Sequence, residues 1–500
     1  MDLKALKSGT DLRGVAIAGK SPVTLTDEAA AAATAGFVLY LRKRTENRRL
    51  KIAVGHDSRL SAERLYSAVL AVLKRAGCEI MCCGLCSTPA MFMMTQFPST
   101  DCDGSVMITA SHHPYDKNGL KFFLKSGGVN GEQLDEIISL GCGGANISGG
   151  TKAIVLNKDF VGLYCDYLKS KFIDAAGGEA EPLSGLKIAV DAGNGAGGFF
   201  AQRVLAPLGA DVSASQFLQP DGRFPNHVPN PENAEAMKSI ADCVKNSNAD
   251  LGVIFDTDAD RAAFVSSDGT GINRNRLIAL VSAIVLDECP GGAIVTDSVT
   301  SDGLKSFIEN HGGIHHRYKR GYRNVIDEAV RLEKSGVAAP LAIETSGHAA
   351  LKENYYLDDG AYLAVRIIIK MAQLKKLGLG LSSLISDLKM PKEEKEIRLT
   401  FKCADWRAYG DFVIESLKMS CDKLKGAIVR PAPVNYEGIR VNLSTAEGWF
   451  LVRMSVHDPI MVINMESDSE GGTAKLAAFL YAFMSEFNEL DASPLRVIGE

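Results

Sequence analysis

The sequence predicts an α/β protein of several domains, and three observations carry that expectation. In three long segments an apolar run, a polar or glycine-rich loop, an amphipathic stretch and a further apolar run follow in order. Such alternation is the pattern of strands and helices in layers. The joins between segments are polar or glycine-rich, as in Ala175–Ser184 (AAGGEAEPLS) and Met390–Lys395 (MPKEEK). From Glu396 onward the order changes to an α+β style. A chain of 500 residues suggests three or four domains.

Each segment reads the same way. In the first, Lys51–Val54 is a strand, GHDSRLSAERL a loop entering a helix that runs to Ala76, and Glu79–Cys82 the next strand. In the second, Leu186–Val190 leads into DAGNGAGG, a helix, and a strand at Ala210–Val212. In the third, Gly292–Val295 leads into TDSVTSDGL and a helix ending near Asn310–Gly312. Gly141–Gly150 (GCGGANISGG) is a loop within or closing the first segment. The domain boundaries expected are 1–178, 179–289, 290–389 and 390–500.

Composition narrows the function. The apolar share of 46% and charged share of 23% are those of a globular protein. Net charge is 55 − 60 = −5, so neither nucleic acid nor an anionic membrane is an expected partner. No apolar stretch is long enough to span a bilayer. The start, MDLKALKSGTDLRG, lacks the hydrophobic core of a secretory signal. Eleven scattered cysteines fit reduced thiols, in cytoplasm or, after removal of a transit peptide, in plastid stroma. Cys78, Cys82, Cys83 and Cys86 cluster, but lack the paired spacing of a zinc ribbon and lie in an apolar stretch, where cysteine acts as a small hydrophobe.

Four loops carry chemistry. Thr109–Phe122 reads TASHHPYDKNGLKF after the apolar run Val106–Ile108. It presents the Ser111 hydroxyl among His112, His113 and Lys121, an arrangement suited to carrying a phosphoryl group. The alternative is an ordinary polar turn built on Pro114 and Asn118-Gly119. Leu251–Phe255 ends in DTDADR, with Asp256, Asp258 and Asp260 on alternate residues. Three carboxylates aimed together repel unless a cation lies between them, and magnesium suits such oxygen donors. Arg261 and Ser267 stand where an EF-hand needs glycine and glutamate. Ala342–His348 reads AIETSGH, in which Glu344 and Ser346 can take hydrogen bonds from sugar hydroxyls and His348 can shuttle a proton. His315–Arg323 (HHRYKRGYR) is densely basic and is read as phosphate-attracting.

The serine loop, the aspartate loop, AIETSGH and a last loop at Gly448–Pro459, in this order, closely resemble those of the alpha-D-phosphohexomutases: the phosphoglucomutases, phosphomannomutases and phosphoglucosamine mutases. His315–Arg323 lies at the position of another family loop, where Lys319 matches a phosphosugar-contacting lysine. Thr109, Ser111, His112, Pro114, Asn118, Gly119 and Lys121 match the phosphoserine loop T-x-S-H-N-P-x-x-x-N-G-x-K, with His113 where asparagine is usual. The aspartate loop resembles D-G-D-x-D-R, with Thr257 for glycine, and AIETSGH resembles G-E-x-S-G-H. Ser8–Gly14 resembles the G-T-x-G-x-R-G entry, Gly55–Arg59 the G-x-D-x-R that supports the serine loop, and Pro220–Asn233 the loop before the metal-loop strand. Gly448–Pro459 aligns with R-P-S-x-T-E-P. There Arg453, Ser455 and Pro459 are kept, while Met454, Val456, His457 and Asp458 depart.

The resemblance implies three related α/β mixed-sheet domains and a C-terminal α+β domain around a central cleft. It implies a phosphohexose mutase that moves a phosphoryl group between C1 and C6 of a hexose phosphate through phosphorylated Ser111 and a bisphosphate. Arg13, His112 and Lys121 would act beside Ser111. Asp256, Asp258 and Asp260, with Ser111, would hold Mg2+. Arg261, Lys319, Glu344, Ser346 and His348 would read the sugar; Arg453, Ser455 and His457 would grip its far phosphate. A hexose 1,6-bisphosphate is the expected activator, and the expected state is monomer or dimer. The altered last loop keeps alternatives open: a phosphoglucosamine mutase, a hexose-bisphosphate synthase, or a catalytically weak phosphosugar-binding regulator.

Overall fold

A computed structural model describes every residue except 1, 20, 46–47, 145–146, 148–150, 456–457 and 500. The chain forms two compact units, Met1–Ile284 with Ser346–Leu384, and Val285–Thr345 with Ile385–Glu500.

The first unit opens on a mixed sheet. Lys51–His56 lies parallel to Glu79–Leu85 and to Gly104–Ile108. Lys117–Leu124 then runs antiparallel between Gly104–Ile108 and Asp11–Val15. The strand Gly104–Ile108 is buried on both faces, which is why it reads as a continuous apolar run. The helix Asp27–Arg42 starts where the Thr26 side chain accepts the Ala29 amide. Gly131–Cys142 starts on a reciprocal capping box of Asn130 and Gln133. Phe37, Val54, Leu65, Ile80, Phe122 and Ile137 belong to the core under these elements.

The unit's second sheet pairs Ile188–Asp191 parallel to Leu251–Phe255, which turns back antiparallel into Ala262–Ser266. Because Phe255 pairs with Ala262, residues 256–261 form a six-residue hairpin loop, and that loop carries the three aspartates. The strand expected at Ala210–Val212 is reduced to a bridge between Lys187 and Asp211. The helix before it is irregular: a π turn over Phe200–Leu205, a 3-10 turn over Ala206–Leu208, then Gly209 at φ +89°. Directly after the bridge the Asp211 side chain accepts the Ser213 amide at 2.9 Å and the Val212 carbonyl accepts the Ser215 amide at 3.0 Å, so the chain turns before a strand can develop. A short hairpin of Ala349–Leu351 and Leu357–Asp358 precedes the helix Gly360–Lys376. At Gly360 a Cβ would lie 2.7 Å from the Arg261 carbonyl carbon, so only glycine lets this helix start against the aspartate loop.

In the second unit, Ala293–Thr296 lies between parallel strands Ile314–Arg317 and Leu341–Ile343. The C-terminal part is an antiparallel sheet in the order Glu393–Thr400, Ile460–Ser467, Gly448–Met454, Ile439–Leu443, Val429–Pro431. Its apolar face packs with Trp406–Lys423 and Gly472–Met484 around Phe450, Ile463 and Leu480. These are the α/β layers and the α+β C-terminal part that the sequence predicts. Among the described residues no helix is long and apolar enough to cross a membrane.

Candidate active site

The serine loop is built on a buried arginine. Arg59 donates from Nη2 to the carbonyls of Ser111 and His113, and from Nη1 to Pro114 (2.7 Å) and Lys117 (2.8 Å). Its Nε pairs with Asp57 at 3.2 Å. Asp57 also accepts the Thr109 hydroxyl at 2.6 Å, and Thr109 Oγ1 accepts the Ser111 amide at 2.8 Å. The G-x-D-x-R segment therefore holds the loop by its backbone. This clamp maintains Ser111 at φ +51°, a conformation costly for a non-glycine residue and common at functional sites. Gly119 lets neighbouring chains close in, since a Cβ there would stand 2.4 Å from the Leu12 carbonyl oxygen. Arg13 is the register partner of Gly119, and its Nη2 pairs with Asp11 at 2.7 Å.

Ser111 meets the aspartate loop. Its hydroxyl donates to Asp256 Oδ2 at 3.0 Å and lies 3.3 Å from His112 Nδ1. Arg261 is almost fully buried; Nε and Nη2 reach Asp256 Oδ2 at 3.1 and 3.0 Å, and Nη2 lies 3.5 Å from Ser111 Oγ. Lys121 Nζ lies 2.8 Å from Asp260 and 3.5 Å from Asp258. One carboxylate oxygen from each of Asp256, Asp258 and Asp260 falls within 4.8 Å of the others. Oδ1 of Asp258 and Oδ1 of Asp260 are buried without a hydrogen-bond partner.

Such orphaned anionic oxygens are costly unless a cation completes them, so this donor set fits a hard divalent metal. Among the described residues it is the one group of three or more ligand side chains so arranged.

The charges follow from this crowding. Burial, then the neighbouring Asp260 and Asp258, push Asp256 well above the usual carboxylate range. Burial also works against Asp260, but the Lys121 and Arg261 cations bring it below its ordinary value. Burial, reinforced by Arg261, depresses His112 to about 2. Burial and the Arg261 and Lys121 cations likewise hold His348 well below its usual range. Both imidazoles are therefore neutral near pH 7. His348 Nε2 lies 3.8 Å from Asp260 Oδ1, and its Nδ1 lies 2.9 Å from Ser346 Oγ.

The second unit holds the remaining candidates. Lys319 is exposed, with Nζ 5.7 Å from the Tyr318 ring centre. Glu344 is buried and accepts the Gly321 amide at 2.7 Å. Arg453 is buried, with no partner for Nε, and burial lowers its pKa. Ser455 Oγ accepts the Asp458 amide at 3.2 Å. His457 lies outside the described residues. The basic segment is more structural than its charge suggests. His315 bonds Thr296, His316 pairs with Glu328, and Arg317 pairs with Asp302, because Ile314–Arg317 is an edge strand whose side chains meet the neighbouring strand and the helices Asp302–Asn310 and Tyr322–Lys334.

Several contributors went unread in the sequence. Thr88 donates to Asp258 Oδ2 at 2.5 Å, and its amide donates to the Asp258 carbonyl at 2.9 Å. Its only local signal is a helix start, Ser87-Thr88-Pro89, which any helix can show. Asn230 and Glu232 lie 3.3 and 3.7 Å from Arg261 Nη1. The clustered cysteines are free thiols, and burial raises Cys78, Cys83 and Cys86 above their usual range.

Comparison with known proteins agrees with this geometry. Residues 5–140, 163–269 and 273–389 match family models for the phosphoglucomutase/phosphomannomutase alpha/beta/alpha domains I, II and III. A phosphoglucomutase of Neisseria gonorrhoeae is 31% identical over 468 residues, covering 93% of this chain and 94% of that one. A phosphoglucosamine mutase of Deinococcus deserti is 33% identical, covering 79% and 84%. A crystal structure of a phosphoglucomutase/phosphomannomutase family protein from Burkholderia thailandensis superposes with a TM-score of 0.80 at 25% identity, over 99% of both chains. The chain belongs to the phosphoglucomutase/phosphomannomutase family of the alpha-D-phosphohexomutase superfamily and is a phosphohexose mutase, an isomerase-class phosphotransferase.

Proposed function

We propose that this enzyme exchanges a phosphoryl group between C1 and C6 of glucose or mannose phosphate through a phosphorylated Ser111. The observation that carries this reading is the meeting of the Ser111 hydroxyl with a buried aspartate triad that has two unpartnered oxygens. In the first half-reaction the Ser111 Oγ–P bond breaks as a bond forms from phosphorus to the free sugar hydroxyl, giving a hexose 1,6-bisphosphate. In the second, a bond forms from Ser111 Oγ to the other phosphorus as its bond to the sugar oxygen breaks, and that oxygen leaves as a protonated hydroxyl. A hexose 1,6-bisphosphate is accordingly the activator that primes an unphosphorylated serine.

Asp256, Asp258 and Asp260, with a Ser111 phosphate oxygen, would hold Mg2+, which when bound draws charge from the phosphoryl oxygens. Lys121, paired with Asp260, and Arg13, paired with Asp11, are assigned to the charge of the phosphoryl group on Ser111. His112 and His348 are neutral near pH 7. The anionic phosphate of a bound substrate would raise their proton affinity, and in that state they are assigned the hydroxyl proton. Arg261, Lys319, Glu344, Ser346 and His348 are assigned to the sugar. Arg453 and Ser455, with His457, are assigned to the phosphate not in transfer; the buried, unpartnered Nε of Arg453 supports that role. We assign four domains, 1–178, 179–289, 290–389 and 390–500, a monomer or dimer, and a reducing compartment, cytoplasm or plastid stroma.

A second reading, phosphoglucosamine mutase, is favoured by the similarity to the Deinococcus enzyme. Coupled turnover of glucose 1-phosphate, mannose 1-phosphate and glucosamine 1-phosphate, each with a bisphosphate activator, separates the two. Preference for the first two substrates is expected. Preference for the amino sugar transfers the assignment. Bisphosphate accumulating with an equal amount of free sugar, so that one monophosphate serves as donor to another, makes the protein a synthase. No turnover on any of the three contradicts the proposal.

A further inference from the structure

The loop Pro220–Asn233 brings Asn230 and Glu232 to Arg261, and it is fastened by a histidine that the reaction itself does not use. His227 is buried. Its Nε2 lies 3.0 and 3.1 Å from the two carboxylate oxygens of Asp191, and its Nδ1 lies 3.0 Å from the Val228 carbonyl oxygen. Asp191 already accepts the Gly193 amide at 2.8 Å and the Gln216 side chain at 2.7 Å. Both ring nitrogens therefore face acceptors. A carbonyl has no hydrogen to give, and a carboxylate receiving two other N–H groups is an acceptor as well. This geometry requires a hydrogen on each nitrogen, which is the imidazolium.

The same Val228 oxygen accepts the Asn230 amide at 2.8 Å. Asn230 Oδ1 accepts Arg261 Nη1 at 3.3 Å and the Glu232 amide at 3.0 Å. Arg261 in turn faces Asp256 and Ser111. A short chain of contacts thus runs from Asp191 through His227, Val228 and Asn230 to the guanidinium beside the serine.

We propose that His227 is a positioning residue: its imidazolium fixes the Val228–Asn230 turn and so holds Arg261 in place beside Ser111, in a pH-dependent manner. When the ring loses a proton, one of its two acceptors is left facing a lone pair. Two buried acceptors in contact repel, and the turn relaxes. The groups facing the ring are Asp191, the Val228 carbonyl and the edge of Phe217, whose ring centre is 5.4 Å away. Of these only Asp191 is charged. Burial alone would lower the His227 pKa, but the hydrogen bond and charge of Asp191, with the Val228 carbonyl, raise it above its ordinary 6.5. A raised value means that the proton is kept to higher pH than an ordinary histidine keeps it, and is lost as pH rises through that value. The grip on Arg261 is present at lower pH and weakens as pH rises through that value.

The inference rests on the mutase reading, and the test keeps the two apart. The enzyme with saturating Mg2+ and bisphosphate is assayed for kcat/KM from about pH 6 to about pH 9, a range that brackets the histidine reference value. The His227 ring is followed in parallel by histidine-labelled NMR. Wild type is compared with His227→Gln and Asn230→Ala. The expected wild-type profile falls about ten-fold on the alkaline side, with the midpoint of the ring titration. His227→Gln should lack this limb and lie at the wild-type alkaline level throughout. In Asn230→Ala the ring should still titrate, but the limb should be gone. Persistence of the limb in either variant, or a ring already neutral at pH 6, overturns the proposal while the mutase reading stands. Absence of wild-type turnover overturns both. If His227→Gln does not fold, Asn230→Ala and the wild-type ring titration decide the matter.

Discussion

The guanidinium of Arg59 is directed at the serine-loop backbone and at Asp57, while Ser111 faces the aspartates. One residue shapes the loop and the other is assigned the chemistry, so their substitutions should separate. Ser111→Ala removes one hydroxyl. Mutase activity should fall by roughly 10³-fold or more, while thermal denaturation shows a stability change below about 1 kcal/mol. Arg59→Lys keeps the charge but loses the planar fork that reaches four carbonyls. It should cost roughly 2–4 kcal/mol in denaturant unfolding and lower kcat as well. Equal stability of Arg59→Lys and wild type would refute the clamp. At this scale the serine and the aspartates were legible because each is a polar cluster directly after an apolar strand. Thr88, and the pairing of His227 with Asp191, were not. Threonine at a helix start and a histidine in a polar, proline-containing loop are ordinary locally, and their partners lie far away in sequence.

Among elements, the aspartate loop is a hairpin connection whose strands are buried and whose carboxylates repel. A divalent cation that binds only the folded loop should stabilise it by mass action, by about 2.7 kcal/mol at a hundredfold excess over its Kd. Calorimetry should show Tm rising with Mg2+ in wild type and not in Asp258→Asn. Chelation of divalent metal should stop turnover.

The C-terminal sheet offers a pH effect of its own. Glu466 is the cross-strand partner of Trp449, whose Nε1 donates to it at 3.0 Å, while Arg440 stacks on that indole at 3.4 Å. Burial, opposed by Arg440, raises Glu466 to about 8. A carboxyl that holds its proton when folded and loses it when unfolded gives stability that declines as pH climbs from its ordinary range toward 8. Glu466→Gln should therefore raise Tm by roughly a few degrees above pH 8, with the gain vanishing near pH 5. A gain independent of pH would contradict this. Strands with long apolar runs were readable. The expected strand at Ala210–Val212 was not realised, because the chain turns at Asp211–Ser215 directly after a single bridge.

For the whole molecule, chain length, the repeated α/β pattern and the four loop motifs were enough to anticipate the architecture and the family. They did not reveal how deeply the basic segment His315–Arg323 is used for packing, because a charge run in sequence carries no sign of the carboxylates and hydroxyls that meet it. The substrate's identity belongs to this scale too, since one sugar hydroxyl separates the candidates and several loops read it.

The central claim is that Ser111 carries the phosphoryl group. It is tested most directly by treating the Mg2+-loaded enzyme with labelled glucose 1,6-bisphosphate, mapping the labelled peptide by mass spectrometry, and then chasing with unlabelled glucose 6-phosphate. The label should reside on Ser111 and leave with the bisphosphate formed in the chase. Turnover that proceeds with Ser111 unlabelled, or with the label on another residue, would contradict the account.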